Sequence, residues 1–321
     1  MIHSDIRTIP RQKRSKMDEI VLSVRDFRKT YGNFVAVAGI SFEVQRGEIF
    51  GLLGPNGAGK TTTLECLEGI RKPDAGALRV LGVDSSREPH KLRNLIGVQL
   101  QTSGLPANMT VEEALKFFSA YHAVTPSFDL LGRLGLEEKR RAQYSQLSTG
   151  QQRRLSLALA IAHNPPVIIL DEPTAGLDVA TRAELHSLMQ ELKEKDTTII
   201  LATHDMAEAE KMSDRVAILL RGQIVTTGTP RQITATGSRL TKISVRSEES
   251  SLQKNGMIFP AVAQQSVREE YAIYFSTDPG PTVTALLDYI HSQGDKLIDL
   301  RVERPSLEER FLEITNRGAA Q

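Results

Sequence analysis

From Glu19 to Val44 apolar and polar residues alternate with a period of two, broken at Tyr31-Gly32-Asn33, and this predicts two half-buried strands around a turn. The run Glu48 to Leu53 predicts a buried strand that feeds a glycine-rich segment, with helix-compatible sequence from Thr61 to Ile70 directly after it. A block from about 102 to 164 reads as mostly helical. Within it Thr110-Val111-Glu112-Glu113 has the form of a capping box, and Thr149 to His163 is apolar on nearly every face, as a buried helix requires. Three unbroken apolar runs follow: Val167–Leu170, Thr198–Ala202 and Val216–Leu220. With a helical stretch, Ala180–Lys195, between the first two, they predict a parallel sheet covered on both faces. Arg221-Gly222-Gln223 turns the third run into Ile224-Val225, a hairpin signal.

The texture changes after Gly228-Thr229-Pro230. Short strands are expected at Lys242–Arg246, Glu270–Phe275 and Lys296–Val302, a helix at Pro281–Ser292, and a last helix capped by Ser306 that ends near Ile314. The chain is therefore divided into a basic, disordered tail at 1–17, an α/β domain at 18–237 with its helical part near 102–164, and a small α+β domain at 238–321. The tail lacks the apolar core of a secretory signal, leaves a weak touch on an anionic membrane surface open, and ends at Met17, a second candidate start.

Composition narrows the function classes. With 40 Lys and Arg against 39 Asp and Glu the net charge is +1, so no global field points to nucleic acid. The single cysteine, Cys66, excludes a disulfide framework and any multi-cysteine metal site. No apolar run approaches the ~20 residues that span a bilayer.

The chemistry lies in three segments. Gly54-Pro55-Asn56-Gly57-Ala58-Gly59-Lys60-Thr61, followed by Thr62, is a phosphate-binding loop in the strand–loop–helix setting that such a loop needs. Its glycines let backbone N–H groups wrap phosphate, Lys60 supplies a compact cation, and Thr61 offers a hydroxyl to Mg²⁺. Asp171 and Glu172 end the Val167 run, at the carboxyl end of a sheet strand where α/β proteins place ligands. Asp171 is the candidate metal ligand and Glu172 the candidate general base. Ser148-Thr149-Gly150-Gln151, after Leu147, opens the buried helix; by its chemistry alone it is either an ordinary N-cap or a phosphate grip.

In this order the three segments resemble the nucleotide-binding subunit of ABC (ATP-binding cassette) transporters, over roughly residues 18 to 237. The resemblance implies a P-loop NTPase fold with a RecA-like parallel core, an antiparallel β subdomain and a helical subdomain. It implies ATP and Mg²⁺ as ligands and ATP hydrolysis as the activity. It also assigns Ser148 to Gln151 to the γ-phosphate of ATP held by a second cassette, here with Thr149 where glycine is more usual. Tyr31 is similar to the aromatic residue that stacks on adenine. Gln101 matches the glutamine that contacts Mg²⁺ and water, with Gln99 as a nearby competitor. Asp178, in Ala175-Gly176-Leu177-Asp178, matches the loop that crosses the dimer interface, and His204 the switch histidine at the γ-phosphate. The remaining histidines, such as His122 and His163, read as surface or structural.

Two classes then compete. A soluble ABC ATPase of translation or DNA maintenance is disfavoured by a lone phosphate loop, the absence of long heptads and a single cysteine. A transporter subunit fits better, and Arg304 to Thr315 is similar to the carboxyl-terminal signature of ABC-2-type drug and polymer exporters, the daunorubicin-exporter type being nearest. The resemblance thus implies a peripheral protein on the cytoplasmic side of the membrane. Its partners would be a second, identical cassette and a separate permease, the cargo a drug or other hydrophobic compound, with no nucleic acid.

Overall fold

The computed structural model describes residues 19–99, 104–236, 240–253 and 257–319. The expected tail at 1–17 and Gln101 lie outside them. Two compact units emerge, 1–227 and 228–321.

The first unit opens with β1 (Ile20–Tyr31), β2 (Phe34–Gln45) and β3 (Ile49–Leu53), then α1 (Lys60–Leu67), β4 (Ala75–Val80), β5 (Val83–Asp84), α2 (Pro89–Arg93) and β6 (Ile96–Gln99). The helical block holds α3 (Val111–Tyr121), α4 (Asp129–Arg133) and α5 (Thr149–Ile161). After it come β7 (Val167–Asp171), α6 (Val179–Glu194), β8 (Thr198–Thr203), α7 (Met206–Met212), β9 (Arg215–Leu220) and β10 (Gln223–Gly228).

Strands β6, β7, β8, β3 and β9 lie side by side and parallel, with β10 outside β9. Every residue of β3, β7 and β8 is buried. Side chains alternate across a strand, so an all-apolar strand must be covered on both faces. Phe50, Leu52, Val167, Ile169, Ile200 and Ala202 enter one core, shared with α1 and the antiparallel sheet β2-β1-β4-β5. Ile49, Ile168, Leu170, Ile199 and Leu201 enter the other, shared with α3 to α6. Each of these Val, Leu, Ile and Phe side chains contributes about 1.5–3 kcal/mol of burial. The hairpin between β9 and β10 turns on Arg221 and Gly222, both in the left-handed region (φ 47° and 75°), as a tight two-residue turn demands.

Of two local expectations, one changes and one holds. Helix α5 is buried only from Leu155 onward; residues 151–154 are half-exposed, because Gln151 to Arg154 put polar groups on that first stretch. The capping box at Thr110 forms as the pattern predicts, Thr110 Oγ1 accepting from Glu113 N and Glu113 Oε2 accepting from Thr110 N.

The second unit contains α8 (Pro230–Ala235), β11 (Thr241–Ser247), β12 (Val262–Arg268), β13 (Tyr271–Ser276), α9 (Pro279–Ser292), β14 (Leu297–Glu303) and α10 (Leu307–Ala319). Its sheet order is β12-β13-β11-β14, antiparallel throughout. Ile243, Val245, Ala272 and Tyr274 form a core with Leu286 and Ile290 of α9. The division falls at 227/228, ahead of the expected 237, because α8 packs with α10 in this unit. Asp295 ties the approach to β14 by accepting from the backbone N–H of Glu249 and Ser251. Among the described residues no helix is long and apolar enough to cross a membrane.

Helix α5 reaches the sheet through Gly97 of β6, where an added Cβ would stand 2.0 Å from the carbonyl oxygen of Ala160 and 2.9 Å from Pro165 Cγ. Gly97→Ala is expected to lower stability by about 1–3 kcal/mol through forced backbone shifts, read as a lower urea midpoint at unchanged slope. A wild-type midpoint would show that α5 can move away at no cost.

Candidate nucleotide-binding site

Three parallel strands deliver the site. Strand β3 ends at the phosphate loop, β7 at Asp171 and Glu172, and β8 just before His204. Because β3 pairs with β8 and β8 with β7, their carboxyl ends stand side by side.

The glycines of the loop divide by function. Gly57 (φ 79°) would meet nothing within 4 Å of an added Cβ, so its role is conformational: an open, left-handed position in the loop. Gly54 and Gly59 are packing positions, since a Cβ would lie 2.2 Å from Leu219 O and 2.5 Å from Ala36 O respectively. Gly59 is also the left-handed N-cap of α1, whose first turn carries Lys60, Thr61 and Thr62. Ala58 is buried in the core below.

Lys60 is 5% exposed, and its Nζ donates to the carbonyls of Gly54 (2.7 Å) and Pro55 (3.3 Å). Burial pushes its pKa down; Glu172 and Asp171 oppose that shift. Lys60 Nζ stands 3.6 Å from Glu172 Oε1, and Glu172 Oε2 is 2.8 Å from His204 Nδ1, the nitrogen that donates to the carboxylate. Thr61 Oγ1 donates to Asp171 Oδ2 at 3.0 Å. Burial pushes the Asp171 carboxyl up, against the downward pull of the Thr61 hydroxyl, and its Oδ1 is buried without a hydrogen-bond partner. Glu172 itself adopts φ 50°, unusual for a residue with a side chain and a mark of stored strain.

A cleft of about 170 Å³ opens above these groups, lined by Pro55, Asn56, Gly57, Lys60, Thr61, Thr62 and Glu172 on one side, and by Tyr31, Phe34 and Ala36 on the other. Tyr31 has Lys29 Nζ and the Arg71 guanidinium at 5.6 and 5.4 Å from its ring centre. Phe34, 61% exposed, is a second aromatic that the sequence pattern did not single out. Its alternating strand position made it look like any outward residue.

The other sequence-derived residues sit elsewhere. Among the described residues, the cleft is lined by none of 148–151 and not by Asp178. Ser148 caps α5: its Oγ accepts from Gln151 N (3.3 Å), and Gln151 Oε1 accepts from Ser148 N (2.9 Å), while Thr149 is the exposed first residue of the helix and Gly150 the second. Asp178 caps α6 by accepting from Thr181 N (3.0 Å) and Oγ1 (2.8 Å), bonds that hold its carboxyl below the ordinary range. Gln99 is 1% exposed, with neither polar side-chain atom partnered. His122 and His163 stack on each other, ring centres 3.7 Å apart, and burial pushes His163 down to about 4.

A buried triad behind the site escaped the sequence reading. Glu208, on α7, accepts from Thr174 Oγ1 at 2.7 Å and meets His186 Nε2 of α6 at 3.2 Å, and all three residues are buried. It ties the loop just after Glu172 to the helix just after His204. Only the spacing of Glu208 four residues beyond His204 hints at it in the chain.

A family model described as "ABC transporter" matches residues 37–175. "Nod factor export ATP-binding protein I" of Paraburkholderia xenovorans is 35% identical over 309 residues, covering 94% of this chain and 99% of that protein. Its counterpart in Ralstonia nicotianae is 34% identical over 305 residues, covering 92% and 94%. Among solved structures, an ATP-binding subunit of an ABC transporter superposes with a TM-score of 0.64 at 30% identity, covering 67% of this chain and 92% of that one. A dimeric ATP-binding cassette in a post-hydrolysis state, bound to ADP and Pi, gives 0.61 at 26% identity, covering 65% and 98%. With a P-loop cassette fold, a phosphate cleft at three strand ends and relatives matched along almost the whole chain, this protein belongs to the ATP-binding, ATP-hydrolysing subunits of ABC transporters.

Proposed function

We propose that two copies of this chain bind and hydrolyse ATP together and so power export through a separate membrane-embedded permease. The observation that carries the catalytic half is the cluster at one cleft of buried Lys60, the Thr61–Asp171 pair and the Glu172–His204 pair. Lys60 and the loop N–H groups meet the β- and γ-phosphates, and Tyr31 and Phe34 offer the adenine a face. Thr61 and Asp171 fit Mg²⁺, since the unpartnered, buried Oδ1 of Asp171 is an anionic oxygen in want of a cation, with Gln101 as a further ligand. Mg²⁺ held there supplies counter-charge to the phosphate oxygens. With Glu172 Oε2 engaged by His204, Oε1, buried and unpartnered by hydrogen bonds, is left to take the proton of the attacking water.

Ser148 to Gln151 and Asp178 lie at exposed helix starts away from their own cleft, a placement suited to a second cassette's γ-phosphate, and a dimeric cassette stands among the solved relatives. Export, rather than a soluble role in translation or DNA maintenance, is supported by relatives named for export that span this chain from the cassette through its second unit. Those relatives carry Nod factor in their name; the ABC-2-type signature at Arg304 to Thr315 supports a drug or other hydrophobic compound as cargo here. For the permease contact, a second cavity of about 400 Å³ lies between the end of α1, β6, α3 and α5, with Phe117, Tyr121 and Ile70 exposed nearby. Burial pushes the carboxyl of Glu68 in its wall up to about 8.

Glu172→Gln should retain ATP, lose about 10²–10⁴-fold in turnover and accumulate as an ATP-bound dimer; unchanged phosphate release would remove Glu172 from the base role. Lys60→Ala should weaken ATP binding roughly 10- to 150-fold, the value of a charge-assisted hydrogen bond, as titrated with a fluorescent nucleotide. Glu208→Ala is expected to lower kcat while nucleotide affinity holds, and Glu208→Gln, which keeps the oxygen that Thr174 donates to, should restore most of it. Equal losses in kcat and affinity would make the triad merely structural.

A further inference from the structure

Two aromatic rings line the cleft, and they are held differently. Tyr31 and Phe34 pair at the last rung of the β1–β2 hairpin, where strand pairing ends. Phe34 is 61% exposed, and no cation stands over its ring among the described residues. Tyr31 has two, Lys29 Nζ at 5.6 Å and the Arg71 guanidinium at 5.4 Å from its ring centre, both inside cation–π range. Neither cation lines the cleft, so the cleft side of the ring stays open.

Each cation is itself anchored. Lys29 Nζ donates to Asp74 Oδ1 at 2.8 Å, and Asp74 Oδ2 accepts from the N–H of Thr30 at 2.7 Å. One carboxylate thus fixes both the residue before Tyr31 and the cation beside it. Arg71 meets Glu65 edge to edge, Nε donating to Oε2 and Nη2 to Oε1 at 3.5 Å. A forked pair sets the plane of the guanidinium as well as its place. The chain folds back after α1 to allow it. Gly69 turns in the left-handed region (φ 72°), and the N–H groups of Ile70 and Arg71 both donate to the carbonyl of Glu65 at 3.0 Å.

Glu65 belongs to α1, the helix that opens with Lys60 and Thr61, and lies about 7.5 Å along the axis from Lys60. One rigid helix therefore holds the phosphate end of the cleft directly and Tyr31 through Arg71. We infer that Arg71, oriented by Glu65, is a positioning residue for the nucleobase: it fixes the Tyr31 ring at a set distance from the phosphate loop before nucleotide arrives. This role rests on the proposed stacking of adenine on Tyr31. A loose tyrosine at a hairpin end has to be ordered when the base stacks, whereas a ring already ordered spares the bound state that loss of entropy. Lys29 and Asp74 secure the strand end, and Arg71 and Glu65 set the ring against α1.

The test compares a ligand that has a base with one that lacks it. In calorimetric titrations of the full chain, Arg71→Ala should weaken ADP about 2- to 30-fold, the range of a cation–π contact from exposed to desolvated settings, and leave inorganic pyrophosphate unchanged. Glu65→Gln, which loosens the fork, should share the ADP loss. Tyr31→Ala should weaken ADP about 5- to 150-fold, the worth of one base stacked on an aromatic ring, and adding Arg71→Ala to it should cost nothing further. In turnover, Arg71→Ala should raise KM for ATP while kcat holds. An Arg71→Ala protein that binds ADP like the wild type, loses pyrophosphate as much as ADP, or adds its full loss on top of Tyr31→Ala would overturn the role of Arg71 and leave that of Tyr31 standing. ADP affinity unmoved by Tyr31→Ala would instead take the base away from Tyr31, and the role of Arg71 with it.

Discussion

The site hangs on one buried cation. Lys60, 5% exposed, would be driven toward neutrality by its surroundings without the carbonyl of Gly54 and the carboxylates of Glu172 and Asp171. Those carboxylates are themselves too deeply placed to stand alone as charges. Each side makes the other tolerable, and the attraction is strong because water is excluded. For the groups to meet, β3 must lie beside β8 and β8 beside β7, with their carboxyl ends level. The two-sided burial of those strands holds that register, because a slip by one residue would exchange the side chains of the two faces.

Much of this was legible in the chain. The runs Val167–Leu170 and Thr198–Ala202 are long enough in β-branched and apolar residues to be central strands and nothing else, and the loop from Gly54 to Thr61 carries its own context. Ser148 was legible as a helix start and caps α5, whereas the cap that Asp178 gives α6 was not read from the chain. What the chain concealed has physical reasons. β12 reads Val-Ala-Gln-Gln-Ser-Val-Arg, and an exposed edge strand has no hydrophobic period to reveal it. Helix α8 is too short to show one. Gly54 and Gly59 serve close packing against β9 and β2, a contact across long sequence distance that no local pattern encodes. The Thr174–Glu208–His186 triad is hidden for the same reason.

That triad bears on the strain at Glu172. A residue with a side chain held at φ 50° persists only where its neighbours over-determine it. On one flank the N–H of Glu172 donates to the carbonyl of Ala202 on β8. On the other, Thr174 is fixed to Glu208. A backbone tie at Glu172 and a side-chain tie at Thr174, from two different elements, thus bracket this segment and restrict the direction the carboxylate can take.

The cap at Ser148 has two sides. A hydroxyl offers lone pairs and one proton, and the bond from Gln151 N uses only a lone pair. Capping therefore leaves the O–H free to donate, at an exposed position. Donation of that O–H to a phosphate of a second cassette, the role proposed for Ser148, would leave the cap on α5 intact.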